Sequence, residues 1–372
     1  MNTLRQNKQG MTGWIKLLAV LATVSAFFVA CVQDLPEPTA TIETTATAAP
    51  TAAITTVEPD ATDGVEFSMD VSRPDYREAM RRWVMAISET MRNTDPDFII
   101  IPQNASPLLT VSGLPDGKPA MGFIAAIDGL GQESLSFGEG GYGVARGEKS
   151  KTALTNQLKL AKTLSLSVLS IDYCKRAKQI TDAHDYNTQN GFIGFAAPNL
   201  ELTQVPPLTE AGGAADITRL SDAKNFLAVL NPENYAEKAD FLAALSATDY
   251  DVLIIDIDFN GQEDYTRADI AGLKEKANGG KRLVIAYLSI GEAEDYRDYW
   301  QESWYENPPG WLKEENRQWD GNYPVEFWNA DWQDIILTGE NSMAGRILDL
   351  GFDGAYLDIV DGYEYFEDKA GY

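Results

Sequence analysis

The chain contains one histidine, His184, and two cysteines, Cys31 and Cys174, among 372 residues. A single histidine excludes metal sites built from several histidines, and it excludes a histidine-based triad with a spare histidine. The sequence also lacks a Gly-x-x-x-x-Gly-Lys-Ser/Thr loop and EF-hand spacing, and its glycine-rich stretch at 138–147 does not open a helix after a strand as a dinucleotide fingerprint does. We therefore expect a protein without metal, nucleotide or other cofactor.

Positive charge is scarce as well: 30 Lys and Arg residues face 56 Asp and Glu residues, which gives a formal net charge of -26. Such a surface repels nucleic-acid phosphates and favours cationic or neutral ligands, so we expect no nucleic-acid partner. A solvated acidic surface that keeps the protein soluble accounts for the same charge, and both interpretations stay open.

One apolar run stands out near the N-terminus, at 17–29, and it is too short to form a stable membrane span. With the cations before it, this run predicts a signal peptide at residues 1–30. The run ends at Phe28-Val29-Ala30-Cys31, which resembles the lipobox of bacterial lipoproteins, with Phe28 where Leu is usual. We expect export to the bacterial cell envelope and a lipid anchor on Cys31; an ordinary signal peptide and a secreted protein are the alternative. Cys174 then has no partner for a disulfide.

Residues 31–64 are rich in Thr, Ala and Pro and nearly free of large apolar side chains. They cannot bury enough surface to offset the entropy of ordering, so we predict a flexible, disordered linker. Residues 65–372 then form the folded domain.

Short β-branched runs separated by helix-like stretches fill most of this domain, a pattern typical of parallel strands joined by crossover helices. The nine strand candidates are 98–101, 121–128, 166–173, 192–196, 226–230, 252–258, 283–290, 325–328 and 354–361. A barrel needs eight strands, so one candidate is surplus, and 192–196 is our choice.

Helices are predicted at 75–92, 150–163, 234–245 and 343–350. The Pro- and Gly-containing stretch 201–223 interrupts the alternation and is interpreted as a joint. Because two half-barrels would leave sheet edges exposed, we predict an α/β fold with a single (β/α)8 TIM barrel rather than two separate domains.

Acidic residues end several of the predicted strands. In such barrels the active site lies at the carboxyl ends of the strands, so these side chains are expected to converge there. Each acid taken alone more often caps a helix or pairs with an arginine, but several converging like charges cost stability unless the site uses them. Glycoside hydrolysis is a chemistry that needs two carboxyls. The acids are Asp128, Glu133, Asp172, Asp256, Asp258, Glu292, Asp358 and Asp361.

Aromatic residues crowd the C-terminal half, where flat rings could stack on sugars. Ordinary packing accounts for about half of them. They are Tyr287, Trp300, Trp304, Trp311, Trp319, Tyr323, Trp328 and Trp332.

Two long motifs carry a family resemblance. Tyr287-Leu-Ser-Ile-Gly-Glu-Ala-Glu-Asp-Tyr-Arg297 and Gly351-Phe-Asp-Gly-Ala-Tyr-Leu-Asp-Ile-Val-Asp-Gly-Tyr-Glu364 resemble glycoside hydrolase family 114, the endo-α-1,4-polygalactosaminidase-like TIM barrels. The resemblance covers residues 224–366. It implies an O-glycosidase acting on a polysaccharide, with an α-1,4-linked galactosamine-rich polymer as the substrate class. Partly deacetylated galactosamine is cationic, which agrees with the acidic composition.

The order of the motifs departs from the family's. There they belong to the first five strands, and three more units follow; here similar elements precede them. We infer a circular permutation, with units 6–8 at 65–200, the joint at 201–223, and units 1–5 at 224–372.

The resemblance also implies the site. The family's catalytic Asp and Glu fall on Asp358 and Glu133, with Asp358 as acid/base and Glu133 as nucleophile, or the reverse. Substrate contacts are expected from Asn104, Asp128, Asp172, Tyr173, Asp256, Asp258, Tyr287, Glu292, Trp328 and Asp361. A non-catalytic carbohydrate-binding or scaffolding barrel lipoprotein is the alternative function.

Overall fold

Buried β-strands alternate with helices along the computed structural model, which describes residues 75–208 and 213–371. Within these ranges no helix has the length and apolar character needed to cross a membrane. The predicted signal peptide, Cys31 and the linker lie outside the described residues, so acylation and export stay predictions.

Twelve strands occur in the described part of the chain. They are β1 (Ile99–Pro102), β2 (Gly129–Glu133), β3 (Ser167–Tyr173), β4 (Ile193–Ala197), β5 (Leu227–Val229), β6 (Val252–Ile255), β7 (Asp258–Phe259), β8 (Glu263–Asp264), β9 (Leu283–Ser289), β10 (Glu292–Glu294), β11 (Asn322–Pro324) and β12 (Gly354–Asp358).

Eight of these strands run parallel. Five form one sheet in the order β1-β12-β9-β6-β5, and three form another in the order β2-β3-β4. A parallel bridge between Gln103 and Gly131 joins β1 to β2, and the rings of Phe195 and Phe226 beside β4 and β5 have centroids 5.7 Å apart. The remaining strands form two antiparallel pairs, β7 with β8 and β10 with β11.

Helices precede, connect and follow the parallel strands. They are α1 (Tyr76–Thr94), α2 (Met121–Ala125), α3 (Glu148–Thr163), α4 (Ala177–Asn190), α5 (Lys238–Ser246), α6 (Arg267–Leu273), α7 (Ala330–Gln333), α8 (Met343–Leu350) and α9 (Tyr363–Ala370). Local sequence sets their ends. The Asp75 carboxylate caps α1 by accepting from the backbone N–H of Glu78 at 2.9 Å, and Gly351, with φ +81°, ends α8 in the left-handed region.

The structure confirms the α/β class with parallel strands. It corrects three of the nine strand predictions. Residues 121–125 are helical and the strand follows at 129–133, residues 192–196 overlap the true strand β4, and 325–328 adds no parallel strand. Each half therefore supplies four parallel strands, where the sequence predicted three and five.

The physical reason is tertiary context. Strand β2 reads Gly-Leu-Gly-Gln-Glu, a poor strand sequence that forms because β3 pairs with it along its whole length. Strand β11 pairs with β10 in antiparallel orientation, and Val325, which follows it, forms an isolated antiparallel bridge with Leu312 and donates its N–H to the Gly291 carbonyl.

Candidate active site

A cleft of about 500 Å³ lies at the carboxyl ends of the parallel strands. Both halves of the chain line it: Gln103, Glu133 and Tyr173 come from the first half, and Tyr287, Tyr356 and Asp358 from the second. Among the described residues that line it there are eight carboxylic acids and no Lys, Arg or His. The acids are Glu133, Glu201, Glu233, Asp256, Glu294, Asp320, Asp358 and Asp361.

Glu133 ends β2 and points into the cleft. Its carboxylate accepts hydrogen bonds from Gln103 Nε2 at 2.6 Å and from the Tyr173 hydroxyl at the end of β3. Burial raises the pKa of Glu133 to about 7, and the charges of Asp358 and Asp361 act in the same direction, against the Tyr173 hydrogen bond. Glu133 is therefore able to hold a proton near neutral pH.

Asp358 ends β12, which pairs with β9. One carboxylate oxygen accepts from the Tyr287 hydroxyl at 2.7 Å and the other from the backbone N–H of Ile359 at 2.8 Å. Burial raises the pKa of Asp358, while both hydrogen bonds oppose this by stabilising the anion. Asp358 is thus a buried carboxyl with two donors in place for its ionised form.

Asn104 connects the two halves within the cleft. Its Nδ2 donates to Asp361 at 3.1 Å, and its Oδ1 accepts from Gln132 Nε2 at 3.0 Å and from the backbone N–H of Glu133 at 3.3 Å. Burial, followed by the charge of Asp358, raises the pKa of Asp361 to about 7. Three carboxyls with raised pKa values therefore share one space.

The backbone turns sharply where these acids lie. Ile359 adopts φ +55°, the left-handed region that β-branched residues rarely enter. Gly291 lies opposite, and a Cβ there would fall 2.2 Å from the Ile359 carbonyl oxygen. This turn brings Asp361 into the cleft together with Asp358, because a straight strand would point residues three apart to opposite faces.

Tyr356 lies on the same face as Asp358, two residues earlier. Its ring fills the space beside Gly131 of β2, where a Cβ would meet the Tyr356 hydroxyl at 2.1 Å. The hydroxyl is buried and has no hydrogen-bond partner among the described residues. The glycine in β2 is therefore required by a side chain from the opposite half of the chain.

A buried arginine holds three further acids. Arg297 pairs with Asp256 through two hydrogen bonds of 2.6 and 2.9 Å, with Glu294 at 2.6 Å and with Asp258 at 3.3 Å. Burial, followed by the charge of Asp256, raises the pKa of Asp258 to about 6. One arginine thus pairs with three carboxyls, of which Asp256 and Glu294 line the cleft, so the group as a whole has more acidic than basic side chains.

Several residues predicted as substrate contacts are placed in the cleft. Asn104, Tyr173, Asp256, Tyr287 and Asp361 line it, together with Asp358 and Glu133. Asp258 does not line the cleft; its carboxylate forms an ion pair with Arg297, which also binds Asp256. Glu292 is buried beside the cleft and accepts from Asn316 Nδ2 at 2.9 Å and Asn322 Nδ2 at 3.3 Å.

Three other predicted contacts lie away from the cleft. Asp128 precedes β2, at the opposite end of the strand, where it pairs with Arg92 at 2.7 Å. Asp172 alternates with Tyr173, so it points outward and accepts from the Ser136 and Phe137 amides. Trp328 packs against Tyr76, Phe327 and Phe366. For these residues the prediction of substrate contact is not supported by their positions.

The sequence analysis missed Gln103, Glu294, Arg297 and Tyr356. Glu294 and Arg297 stand three apart within the quoted motif, and Tyr356 precedes Asp358 by two residues on the same strand. The period of two along β12 predicts that Tyr356 shares a face with Asp358. Across residues 75–208 and 213–371, no group of three or more His, Cys, Asp and Glu side chains is arranged to hold a metal ion.

Comparison with known proteins gives one family. Residues 215–372 match the model of glycoside-hydrolase family GH114. An uncharacterized protein of Methanocaldococcus jannaschii is 37% identical over 158 residues, 42% of this chain and 43% of that protein. Uncharacterized proteins of Thermotoga maritima and Deinococcus radiodurans are 40% and 36% identical over 33% and 35% of this chain, and 36% and 39% of their own lengths. The chain thus spans less than half the length of these relatives, and the resemblance to family 114 is confirmed over the matched residues.

Proposed function

We propose, from the family 114 sequence at residues 215–372, that the whole chain is a glycoside hydrolase that cleaves a polysaccharide with two carboxyls, Glu133 and Asp358. The observation that carries the proposal is that Glu133 and Asp358, from opposite halves of the chain, line one cleft. Each is held by a tyrosine hydroxyl, Tyr173 or Tyr287. Such paired, buried carboxyls suit an acid and a nucleophile or base.

We assign Glu133 as the acid, the reverse of the first order given above. The raised pKa of Glu133, about 7, favours a proton on it at neutral pH. Asp358 has a backbone N–H and a tyrosine hydroxyl directed at its two oxygens, which favours the anion. Glu133 would then protonate the leaving oxygen while Asp358 attacks the anomeric carbon or activates water.

We also infer that the eight parallel strands close into one barrel whose order is a circular permutation of the family's. Support comes from the two junctions between the five-stranded and the three-stranded sheet. The Gln103–Gly131 bridge joins β1 to β2, and the Phe195–Phe226 contact lies between β4 and β5. The cleft shared by both halves of the chain supports it further. An exported protein anchored through Cys31 remains part of the same proposal.

The proposed substrate is a cationic amino-sugar polymer, such as α-1,4-linked galactosamine. Eight acids and no cation line the described cleft, so ammonium groups would be attracted and carboxylated sugars repelled. N-acetylation of the polymer removes these charges and is expected to weaken binding, and added salt should do the same for the deacetylated form.

The test separates the two roles. Glu133→Gln should abolish cleavage of the polymer yet retain activity on a galactosaminide with an activated aryl leaving group, because such a group needs no acid. Asp358→Asn should lose both activities, by about a thousandfold or more. Asp182→Asn, an exposed acid on α4, is the matched control. The opposite pattern would exchange the roles, and full activity in both folded variants would refute the mechanism.

A further inference from the structure

Two exposed aromatic side chains lie at the mouth of the cleft. Large apolar side chains that remain exposed in the described residues are few, and of these only Tyr296 and Trp319 line the cleft, with 47% and 51% of their surface exposed. Leaving an indole ring in water forgoes the free energy of burial, so its exposure at this position favours a ligand that covers it.

The segment that carries Trp319 is held at both ends by one buried carboxylate. Glu292 Oε1 accepts from Asn316 Nδ2 at 2.9 Å, and Oε2 accepts from Asn322 Nδ2 at 3.3 Å. Trp319 lies midway between these two asparagines in the chain. Glu292 is 4% exposed, so the hydrogen bonds to its oxygens come from these two amides rather than from solvent.

Backbone hydrogen bonds fix the same segment. The Trp319 N–H donates to the Asn316 carbonyl at 3.2 Å, the Asn322 N–H donates to the Trp319 carbonyl at 3.2 Å, and the Asn316 N–H donates to the Asn322 carbonyl at 2.7 Å. The ring is therefore presented from a closed loop and needs little ordering when a ligand arrives.

We propose that Trp319 is a platform on which one sugar ring of a bound polymer stacks, and that Glu292 is the positioning residue that holds the platform. The inference rests on the proposed function, because it requires a glycan in the cleft. The apolar face of a pyranose covers the indole, while the neighbouring Asp320, which also lines the cleft, faces an amino group of the same or the next sugar. Glu292 thus acts on the substrate through the loop and does not touch it.

Trp319→Ala should raise KM for long galactosamine oligomers about tenfold, the loss expected for one stacking contact, with little change in kcat. Oligomers too short to reach the rim should be unaffected. Tyr305→Ala is the matched control, because Tyr305 is 47% exposed but does not line the cleft. Binding of long oligomers should also quench tryptophan fluorescence in the wild type and not in Trp319→Phe.

Glu292→Gln turns one acceptor of the loop into a donor and should reproduce the rise in KM. Adding Asn322→Asp supplies a carboxylate that accepts from the new amide at position 292. The hydrogen bond between positions 292 and 322 is then restored with its direction reversed, so the double variant should recover affinity. If Glu292 contributed only to overall stability, Glu292→Gln would lower the melting temperature without raising KM at unchanged kcat. The double variant would then not recover affinity.

The outcomes distinguish the two proposals. Wild-type protein that binds the oligomers with fluorescence quenching but cleaves none would overturn the hydrolase and keep the platform. Cleavage by the wild type with unchanged KM in Trp319→Ala would overturn the platform and keep the hydrolase. A wild type that neither binds nor cleaves the oligomers would overturn both.

Discussion

Burial raises the pKa of both Glu133 and Asp361, the charge of Asp358 acts on both in the same direction, and the charge of Asp361 adds to the effect on Glu133. The asparagine that spans Glu133 and Asp361, Asn104, is neutral and leaves the repulsion in place. The state of protonation of Glu133 thus depends on the charges of Asp358 and Asp361 in the same cavity.

Asp361→Asn should move the alkaline limb of the kcat/KM profile to lower pH. Removing a negative charge beside Glu133 makes loss of its proton easier, so the pKa of Glu133 falls and less of the acid form remains at pH 8. Activity there should drop by roughly threefold more than at pH 6. The measurement is the pH profile of both proteins, with Asp182→Asn as control. A limb that stays in place would remove Asp361 from the environment of Glu133.

Single residues also show what a sequence can and cannot indicate about the site. Glu133 and Asp358 could be placed in the cleft because acids at strand ends converge in such folds, but only the family resemblance singled them out as a pair. Asp172 could not be rejected, because its orientation depends on the exact register of β3 with β2 and on a partner, Asn187, from α4. Asp128 was assigned to a strand that in fact begins one residue later.

Strand β2 is the element whose shape depends most on its neighbours. Its two glycines follow from close approaches: a Cβ at Gly129 would lie 2.8 Å from the Ser167 carbonyl oxygen, and one at Gly131 would meet the Tyr356 hydroxyl. Local propensity disfavours a strand with two glycines. The sequence analysis therefore predicted the strand at 121–128, before its true position. The helix α1 was predicted correctly, because its buried residues recur with helical spacing.

Gly131→Ala should therefore destabilise the fold by about 1 to 3 kcal/mol, the usual cost of overpacking a buried site, and should reduce activity by displacing Tyr356. Gly147→Ala is the matched control, because nothing lies within 4 Å of a Cβ at that position. Urea denaturation of the three proteins gives the comparison. Equal stability of Gly131→Ala and wild type would show that the ring of Tyr356 shifts without cost.

Across the described part of the molecule, the parallel strands divide evenly between the two halves of the chain, and β1 of the first half pairs with β12 of the second. The pairing of β1 with β12 and the contact between Phe195 and Phe226 join the two halves, whereas the bridge between Gln103 and Gly131 lies within the first half. From the sequence we predicted one folded domain, because separate halves would expose sheet edges. The predicted number of strands in each half was wrong, because β4 was taken as the surplus strand.

Residues 66–205 and 213–372 expressed separately should each be insoluble or unfolded, while their joint expression should give a folded complex that binds the oligomers. The reason is that each half alone exposes apolar strand faces and unpaired backbone groups. Circular dichroism and size-exclusion chromatography make the comparison. A stable, cooperatively folded fragment from either half would contradict a single closed barrel.

The shared cleft also orders events on the ribosome. When the first half of the nascent polypeptide has emerged, Glu133 and Tyr173 are already synthesised, yet the wall that carries Tyr287 and Asp358 does not exist. Chemistry that needs both walls cannot begin on any partially translated intermediate. The proposed cleavage therefore begins only after translation has passed Asp358.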